Sequence, residues 1–298
     1  MGKIGRINMS THIVIMAGGV GSRLYPLSTL ECPKQFLDLL GTGKTLIRMT
    51  YERLMKVDPD AVVWVVTSSA YRHLVKEQIP GIPDEMILSE PEARNTAPCI
   101  SYVARKIAIR YPDACIVVTP SDAYVPDGDA FALTIRTAID FASSHDAIVC
   151  IGIRPDSPNT GYGYIAARED GFSAVPVSAF KEKPDLATAR RYLADGGYLW
   201  NAGIFVCSAG TVESELREHA PQIESVMDVM EPSFYTSGEQ DALQRHFHEC
   251  EKISFDYAVM ERSSSAYVVP AEWDWSDLGS FEAIEKITGR EIDIKKVK

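Results

Sequence analysis

The sequence predicts an α/β fold in which a mostly parallel mixed sheet is flanked by helices. Three features carry that expectation. Hydrophobic runs alternate with amphipathic stretches along the first half of the chain. The runs are continuous rather than alternating, as in strands buried on both faces. The first run also leads straight into a glycine-rich turn, where open α/β sheets keep their ligand loops.

Taken in order, HIVIMA (12–17) reads as the first strand, and TLIRMTYERLMKV (45–57) as a helix, with apolar residues three and four apart. AVVWVVTS (61–68) is a second, β-branched strand. APCISYVARKIAIR (97–110) is a helix, CIVVTP (115–120) a third strand, DAFALTIRTAIDFASS (129–144) a helix and AIVCIGI (147–153) a fourth strand. After residue 155 the elements shorten, in TGYGYIAA, VSAFKEKP and NAGIFVCSA. A helical stretch over roughly 211–262 follows, then a strand at YVVP (267–270) and a last helix from Gly279. No repeat or low-complexity segment interrupts the pattern. One domain is expected over 11–289, with halves of about 11–155 and 156–289 and no hard boundary between them. Residues 1–10 read as a leader and 290–298 as a charged tail.

Composition narrows the function classes. Of 298 residues 46% are hydrophobic, enough for a sizeable core. No stretch approaches the ~18 consecutive apolar residues of a membrane helix, so no membrane partner is expected. Asp and Glu outnumber Lys and Arg by 41 to 30, and a net charge of −11 repels phosphate backbones, so no nucleic-acid partner is expected either. A local basic pocket stays open. The six cysteines are scattered without a CxxC pair, which suits reduced thiols in a cytoplasmic protein. The apolar run Ile13–Ala17 is too short for a signal-peptide core. His246 and His248 do not converge on a helix, so the six histidines read as structural or surface residues.

Two motifs mislead. GTGKT (41–45) invites a P-loop reading, but the glycine required five positions before the Gly-Lys pair is replaced by Asp38. GVGSRL (19–24) begins like a dinucleotide fingerprint and ends on Leu24 instead of glycine or alanine.

The informative segment is AGGVGSRLYPLSTLECPKQFL (17–37). Gly18, Gly19 and Gly21 let the backbone approach a ligand, and successive free N–H groups there can cradle an anion. Arg23 adds a planar fork of donors suited to phosphate oxygens, and Lys34 a second charge. A tight surface turn with solvated charges is the alternative. Asp122 ends the third strand, either as a ligand-facing carboxylate or as an ordinary helix N-cap. Glu182 and Lys183 are strand neighbours and would face opposite ways unless the chain kinks, for which Pro184 supplies a reason. A plain solvated Lys-Glu-Lys face is the alternative there.

The run G-G-x-G-S-R-L-x-P-x-S followed by P-K resembles the signature of the sugar-1-phosphate nucleotidyltransferases, and PKQFL resembles the mannose-1-phosphate guanylyltransferases among them. The likeness continues in order through EPEARNTAP (90–98), PSD (120–122), TGYGYI (160–165), FKEKPD (180–185), WNAGIF (200–205), ISFDYAVME (253–261) and WDWSDLGSF (273–281). It covers roughly 11–285 and implies a Rossmann-like, GT-A-like nucleotidyltransferase fold with a nucleotide half and a sugar-binding half.

The resemblance implies transfer of GMP from GTP to α-D-mannose 1-phosphate, giving GDP-mannose and pyrophosphate by Mg²⁺-assisted in-line displacement. Gly18, Gly19, Gly21, Ser22, Glu90, Asn95 and Thr96 fall to the nucleotide. Glu90 stands where related thymidylyltransferases carry glutamine, and a carboxylate can accept from both donors on guanine's Watson–Crick edge. Gly163, Glu182 and Asn201 fall to the sugar, and Asp122 and Asp277 to Mg²⁺. Arg23, Lys34 and Lys183 are the catalytic cations. Ala123 stands where the family usually has histidine. The attacking phosphate oxygen is already ionised, so no general base is needed. Rival readings are another sugar 1-phosphate or nucleoside triphosphate, or a catalytically silent regulatory paralogue. The residues after the last match are too few for the β-helix or fused isomerase domain of longer relatives. No second, isomerase activity is therefore expected, nor dimerisation through such an extension; a homodimer stays open.

Overall fold

Residues 9–167 and 173–292 are described by a computed structural model of the chain. Residues 1–8 of the expected leader and 293–298 of the expected tail lie outside the described residues. The strands are β1 (Thr11–Met16), β2 (Val62–Ser68), β3 (Ile87–Glu90), β4 (Cys115–Pro120), β5 (Ile148–Ile153), β6 (Tyr164–Ala166), β7 (Val175–Pro176), β8 (Ala179–Lys181), β9 (Tyr198–Ser208) and β10 (Ala266–Ala271). The helices are α1 (Leu46–Leu54), α2 (Arg72–Gln78), α3 (Thr96–Arg110), α4 (Gly128–Ala142), α5 (Leu186–Asp195), α6 (Ala209–His219), α7 (Pro221–Met230), α8 (Glu239–His246) and α9 (Phe281–Thr288).

The continuous apolar runs became buried strands, as the absence of alternation requires. The strands β3-β2-β1-β4 are mutually parallel. The second half changes direction. β9 lies between β4 and β5 and is antiparallel to both, β10 is parallel to β5, and the short β6 pairs antiparallel with β8 and β9. The sheet is therefore parallel on its first side and mixed beyond β4. In the second half β7 and α5 match no element expected from the sequence, and in the first half two elements escape sequence periodicity. β3 has only four residues and α2 only seven, too few for either period to register. The helical stretch expected over 211–262 is divided, Pro221 opening α7 as its first residue. It ends in a π-helical turn, Asp256–Met260.

The pleat sorts each strand between two cores. Val14, Trp64 and Val268 pack under α3, α6 and α7, while Ile13, Ile15 and Val269 pack with Phe131 and Ile135 of α4 on the other face. Both cores draw on residues from before and after 155, so the halves share one sheet. A third cluster of Leu24, Leu46, Leu278 and Ile284 ties the segment after β1 to the turn before α9.

His12 is a polar residue inside β1 with no exposed surface. The Trp64 indole N–H donates to its Nδ1 at 3.0 Å, which fixes the neutral tautomer with the proton on Nε2, 3.1 Å from Ser10 Oγ. Burial lowers its pKa to about 4. In the unfolded chain it titrates near its ordinary value of 6.5, so between these values only the unfolded state takes up the proton. Stability is thus complete above pH 6.5 and falls with acidification, by up to about 1.4 kcal/mol per pH unit. His12→Asn keeps an acceptor for Trp64 and removes the titration. Urea denaturation from pH 7 to 5 should show the variant losing less stability than the parent, and parallel pH profiles would contradict this account.

Candidate active site

Parallel pairing brings the carboxyl ends of the strands to one edge, Met16 beside Pro120 and Ser68 beside Glu90. The glycine turn leaves β1 there. Its shape is held from below: Gln35 Nε2 donates to Ala17 O and Gly19 O, both at 2.9 Å, and Ser28 Oγ donates to Val20 O at 2.9 Å. Gly21 has φ 60°, and a Cβ there would come within 2.6 Å of Lys34 Cβ. Both conformation and space therefore require glycine. Ser22 and Arg23 open a short 3-10 turn and are exposed.

Lys34 is buried, with a side chain only 5% exposed. Its ammonium donates to Asp122 Oδ2 at 2.9 Å and to the backbone carbonyl of Asp277. The segments carrying these two aspartates are joined by an isolated antiparallel bridge between Tyr124 and Ser276. Asp122 does not cap a helix, since Asp127 caps α4 by accepting from the N–H groups of Asp129 and Ala130. Ala123, in the place of the family's usual histidine, is buried.

The Asp277 carboxylate is asymmetric. Oδ1 accepts from the Tyr162 hydroxyl at 2.8 Å and from Gly279 N at 3.0 Å. Oδ2 lies 3.5 Å from an Arg23 nitrogen. Burial, then the Asp277 carboxylate, pushes the Tyr162 phenol well up, so it stays a donor. Among the described residues no three His, Cys, Asp or Glu side chains converge to hold a metal by themselves. Two partly exposed carboxylates, on segments that the Lys34 ammonium joins through the Asp122 side chain and the Asp277 backbone carbonyl, are a donor set of the kind Mg²⁺ uses when phosphates and water complete its shell. The donors fit that ion.

Glu90 closes the same edge, 6% exposed, and a Cβ on Gly18 would sit 3.4 Å from its Oε2. Its Oε1 is buried without a hydrogen-bond partner, and burial pushes the carboxyl up to about 8. Asn95 is exposed with φ 68° and caps α3 by accepting from Thr96 N. Thr96 Oγ1 accepts from Phe255 N at 2.8 Å, so this hydroxyl braces the π turn as well as facing the loop.

A second cluster forms where β6, β8 and β9 meet that turn. Glu182 and Lys183 do not face opposite ways. β8 ends at Lys181, Lys183 has φ 43°, and its ammonium bonds the Glu182 carboxylate. The kink before Pro184 brings both side chains to one side. Burial alone would lower the Lys183 ammonium, but Glu182 and Asp256 outweigh it and hold it up. Gly163 lies against Glu182, where a Cβ would come within 2.5 Å of Oε2. Asn201 Nδ2 donates to Asp256 Oδ1 at 2.7 Å and its Oδ1 accepts from Gly203 N at 3.0 Å, leaving one donor and one lone pair free. Burial, then the neighbouring Glu182, pushes Asp256 up.

Sequence reasoning assigned no role to Gln35, Tyr162, Asp256 or Glu261, whose Oε1 accepts from Glu182 N at 2.9 Å. All four lie inside motifs already singled out, PKQFL, TGYGYI and FDYAVME; only three-dimensional contact separates them from their neighbours. Glu92, the next carboxylate along the chain, is exposed and bonded to Arg94. The GTGKT turn holds no free cradle: Asp38, the residue that breaks the motif, accepts from Thr42 N and Gly43 N at 3.0 and 2.7 Å.

Known proteins share both the sequence and this architecture. The family described as nucleotidyl transferase matches residues 12–292. A mannose-1-phosphate guanylyltransferase of Escherichia coli K12 is 39% identical over 289 residues, covering 92% of this chain. The chain spans 59% of that relative's length. Among solved structures, a Thermus thermophilus protein described as a mannose-1-phosphate geranyltransferase has a TM-score of 0.84 at 31% identity, over 95% of this chain and 80% of that one. A Helicobacter pylori protein described as a mannose-6-phosphate isomerase has a TM-score of 0.74 at 27% identity, over 90% of this chain and all of that one.

Glu90 gives the site a pH signature. With its folded pKa near 8 and an ordinary value of 4.5, the native carboxyl keeps its proton where the unfolded one has lost it. That burial therefore costs progressively more stability as pH rises from 4.5 to 8. Glu90→Gln should be increasingly stable relative to the parent across this range, by up to about 1.4 kcal/mol per pH unit. Chemical denaturation at pH 5.5 and 7.5 checks it, and an unchanged difference would mean that Glu90 is ionised in the free protein.

Proposed function

The chain belongs to the nucleotidyl transferase family, and from that premise we propose that it makes GDP-mannose and pyrophosphate from GTP and α-D-mannose 1-phosphate. The observation that carries the reading is Lys34 joining Asp122 to Asp277 against the glycine turn. A cation and two carboxylates at the carboxyl ends of parallel strands suit a triphosphate brought there by the loop's backbone N–H groups.

In this reading a mannose phosphate oxygen, already ionised, attacks the α-phosphorus of GTP as the bond to the β-phosphate oxygen breaks and pyrophosphate leaves. Arg23 and Lys34 balance charge on the triphosphate, and Lys183 holds the sugar phosphate in line. Glu182, Gly163 and Asn201 hold the mannose hydroxyls. Glu90 accepts from guanine N1–H and the N2 amine, and such donated bonds favour its ionised form, drawing its pKa down from about 8. Gly18, Gly19, Gly21 and Ser22 line the phosphates, with Asn95 and Thr96 beside the base or ribose. Nucleotidyl transferases generally use a divalent ion; Mg²⁺ at Asp122 and Asp277 would neutralise phosphate charge. A cytoplasmic location agrees with six free cysteines. Among the described residues no helix is long and apolar enough to cross a membrane.

A matrix of four nucleoside triphosphates against several sugar 1-phosphates, read by pyrophosphate release, tests the reading. GTP with mannose 1-phosphate should lead, and EDTA should abolish turnover. An arm with mannose 6-phosphate examines the isomerase activity named for the Helicobacter neighbour. No turnover with any pair would favour a silent paralogue.

The two cations separate by binding. Lys183→Ala should bind GTP nearly normally but GDP-mannose poorly, whereas Arg23→Ala should lose triphosphate affinity or turnover and keep the sugar contacts. Each should slow turnover by about 10²–10³. Calorimetry with GTP and with GDP-mannose distinguishes them; a parental rate in Lys183→Ala would reduce that residue to a surface charge.

A further inference from the structure

One half-buried side chain lies between the two clusters and has no part in the reaction as described. Tyr162 donates its hydroxyl to Asp277 Oδ1 at 2.8 Å, and the same oxygen accepts from Gly279 N at 3.0 Å. A carboxylate oxygen has two lone pairs, so Oδ1 is saturated. Among the described residues Oδ2 has only the long 3.5 Å approach of Arg23. The tyrosine ring is held edge-to-face against both Trp200 and Trp275, with centroids 5.0 Å away in each case. It has little freedom to swing the hydroxyl elsewhere. The next residue is Gly163, whose carbonyl accepts from Asn201 N at 2.8 Å and which packs against the Glu182 carboxylate.

We propose that Tyr162 is a positioning residue that saturates Oδ1 of Asp277, presents Oδ2 alone to the divalent ion accompanying the triphosphate, and ties that carboxylate to the sugar cluster through Gly163. The inference rests on the function proposed above and adds a residue to it. A carboxylate fixed in this way gives the ion one ligand oxygen of set direction, whereas a freely rotating one offers two. Because the fixing group comes from the loop that enters β6, a shift of Gly163 on sugar binding reaches Asp277 through a single intervening side chain. Outer-shell hydrogen bonds to ligating carboxylates are commonly worth about 10–100-fold in metal affinity.

Tyr162→Phe keeps the ring between the tryptophans and removes only the hydroxyl. Mn²⁺, a paramagnetic stand-in for Mg²⁺, is titrated by electron paramagnetic resonance against the full chain with GTP. Asp277→Asn is run in parallel. Thermal unfolding of the metal-free proteins reports whether the variant is folded. The expected result is Mn²⁺ affinity lowered about 10–100-fold in Tyr162→Phe, with GTP affinity in EDTA and the melting temperature close to the parent. The Mg²⁺ concentration for half-maximal turnover should rise by a similar factor. Unchanged Mn²⁺ affinity in Tyr162→Phe alongside a loss in Asp277→Asn would overturn the role of Tyr162 alone. Unchanged affinity in both would overturn the metal assignment and this inference with it. A lowered melting temperature with normal Mn²⁺ affinity would make the hydroxyl merely structural, again overturning it.

Discussion

A lysine ammonium stripped of water has to be surrounded by acceptors, and Lys34 finds them on two segments that are otherwise remote in the chain. Removing a charge from solvent costs several kcal/mol unless partners replace the lost hydration. The Asp122 carboxylate and the Asp277 carbonyl are those partners. One desolvated charge thereby fixes the approach of the turn after β1, the end of β4 and the turn before α9. Gly21 belongs to the same constraint, since its missing side chain leaves room for Lys34. The Tyr124–Ser276 bridge holds the two aspartate segments in register.

The second cluster obeys a different rule. It carries an excess of carboxylates over cations: Glu182, Asp256 and Glu261 against Lys181 and Lys183, with Glu261 paired to Lys181, Glu182 to Lys183 and Asp256 to Asn201. Burial, and then the neighbouring Glu182, raises Asp256 toward its neutral form, and the left-handed backbone at Lys183 lets adjacent side chains meet. A π turn at Asp256–Met260 delivers the aspartate, and such turns recur at functional sites. The first cluster is thus built around a cation and the second around acceptors, which suits the phosphates and the sugar hydroxyls of the proposed reaction.

The fold was readable from the sequence wherever one property dominated a long enough window. CIVVTP became β4 over the same residues, and the other three main strands lie within one residue of the expected limits. β3 was not readable, because ILSE offers no period and ends on a residue that composition rules treat as surface. Yet Glu90 is buried, and its depth is set by β2 and α3, which no local window contains. Site residues were legible as motifs and not as contacts. Arg23, Lys34, Asp122 and Asp277 do meet around one ammonium or carboxylate, while Thr96 and Asn201 spend part of their bonding on the protein. Tyr162 and Asp256 were hidden in full view, since a motif string gives no weight to which of its letters touches another string.

The position of β9 governs the order in which this molecule can come into being. Among the described residues β5 pairs with none of the strands that precede it; its partners are β9 and β10. During synthesis the parallel half ends on β4 with one flank bare, and β5 has no sheet to join until residues 198–208 have emerged. Bare strand flanks are templates for unwanted pairing, and distant pairings form slowly. The nascent chain therefore has a vulnerable interval spanning the loops between β5 and β9, and chaperone demand should concentrate there. The same arrangement makes the first 155 residues a poor unit for independent expression or recombination, because their last strand is completed only by the half that follows.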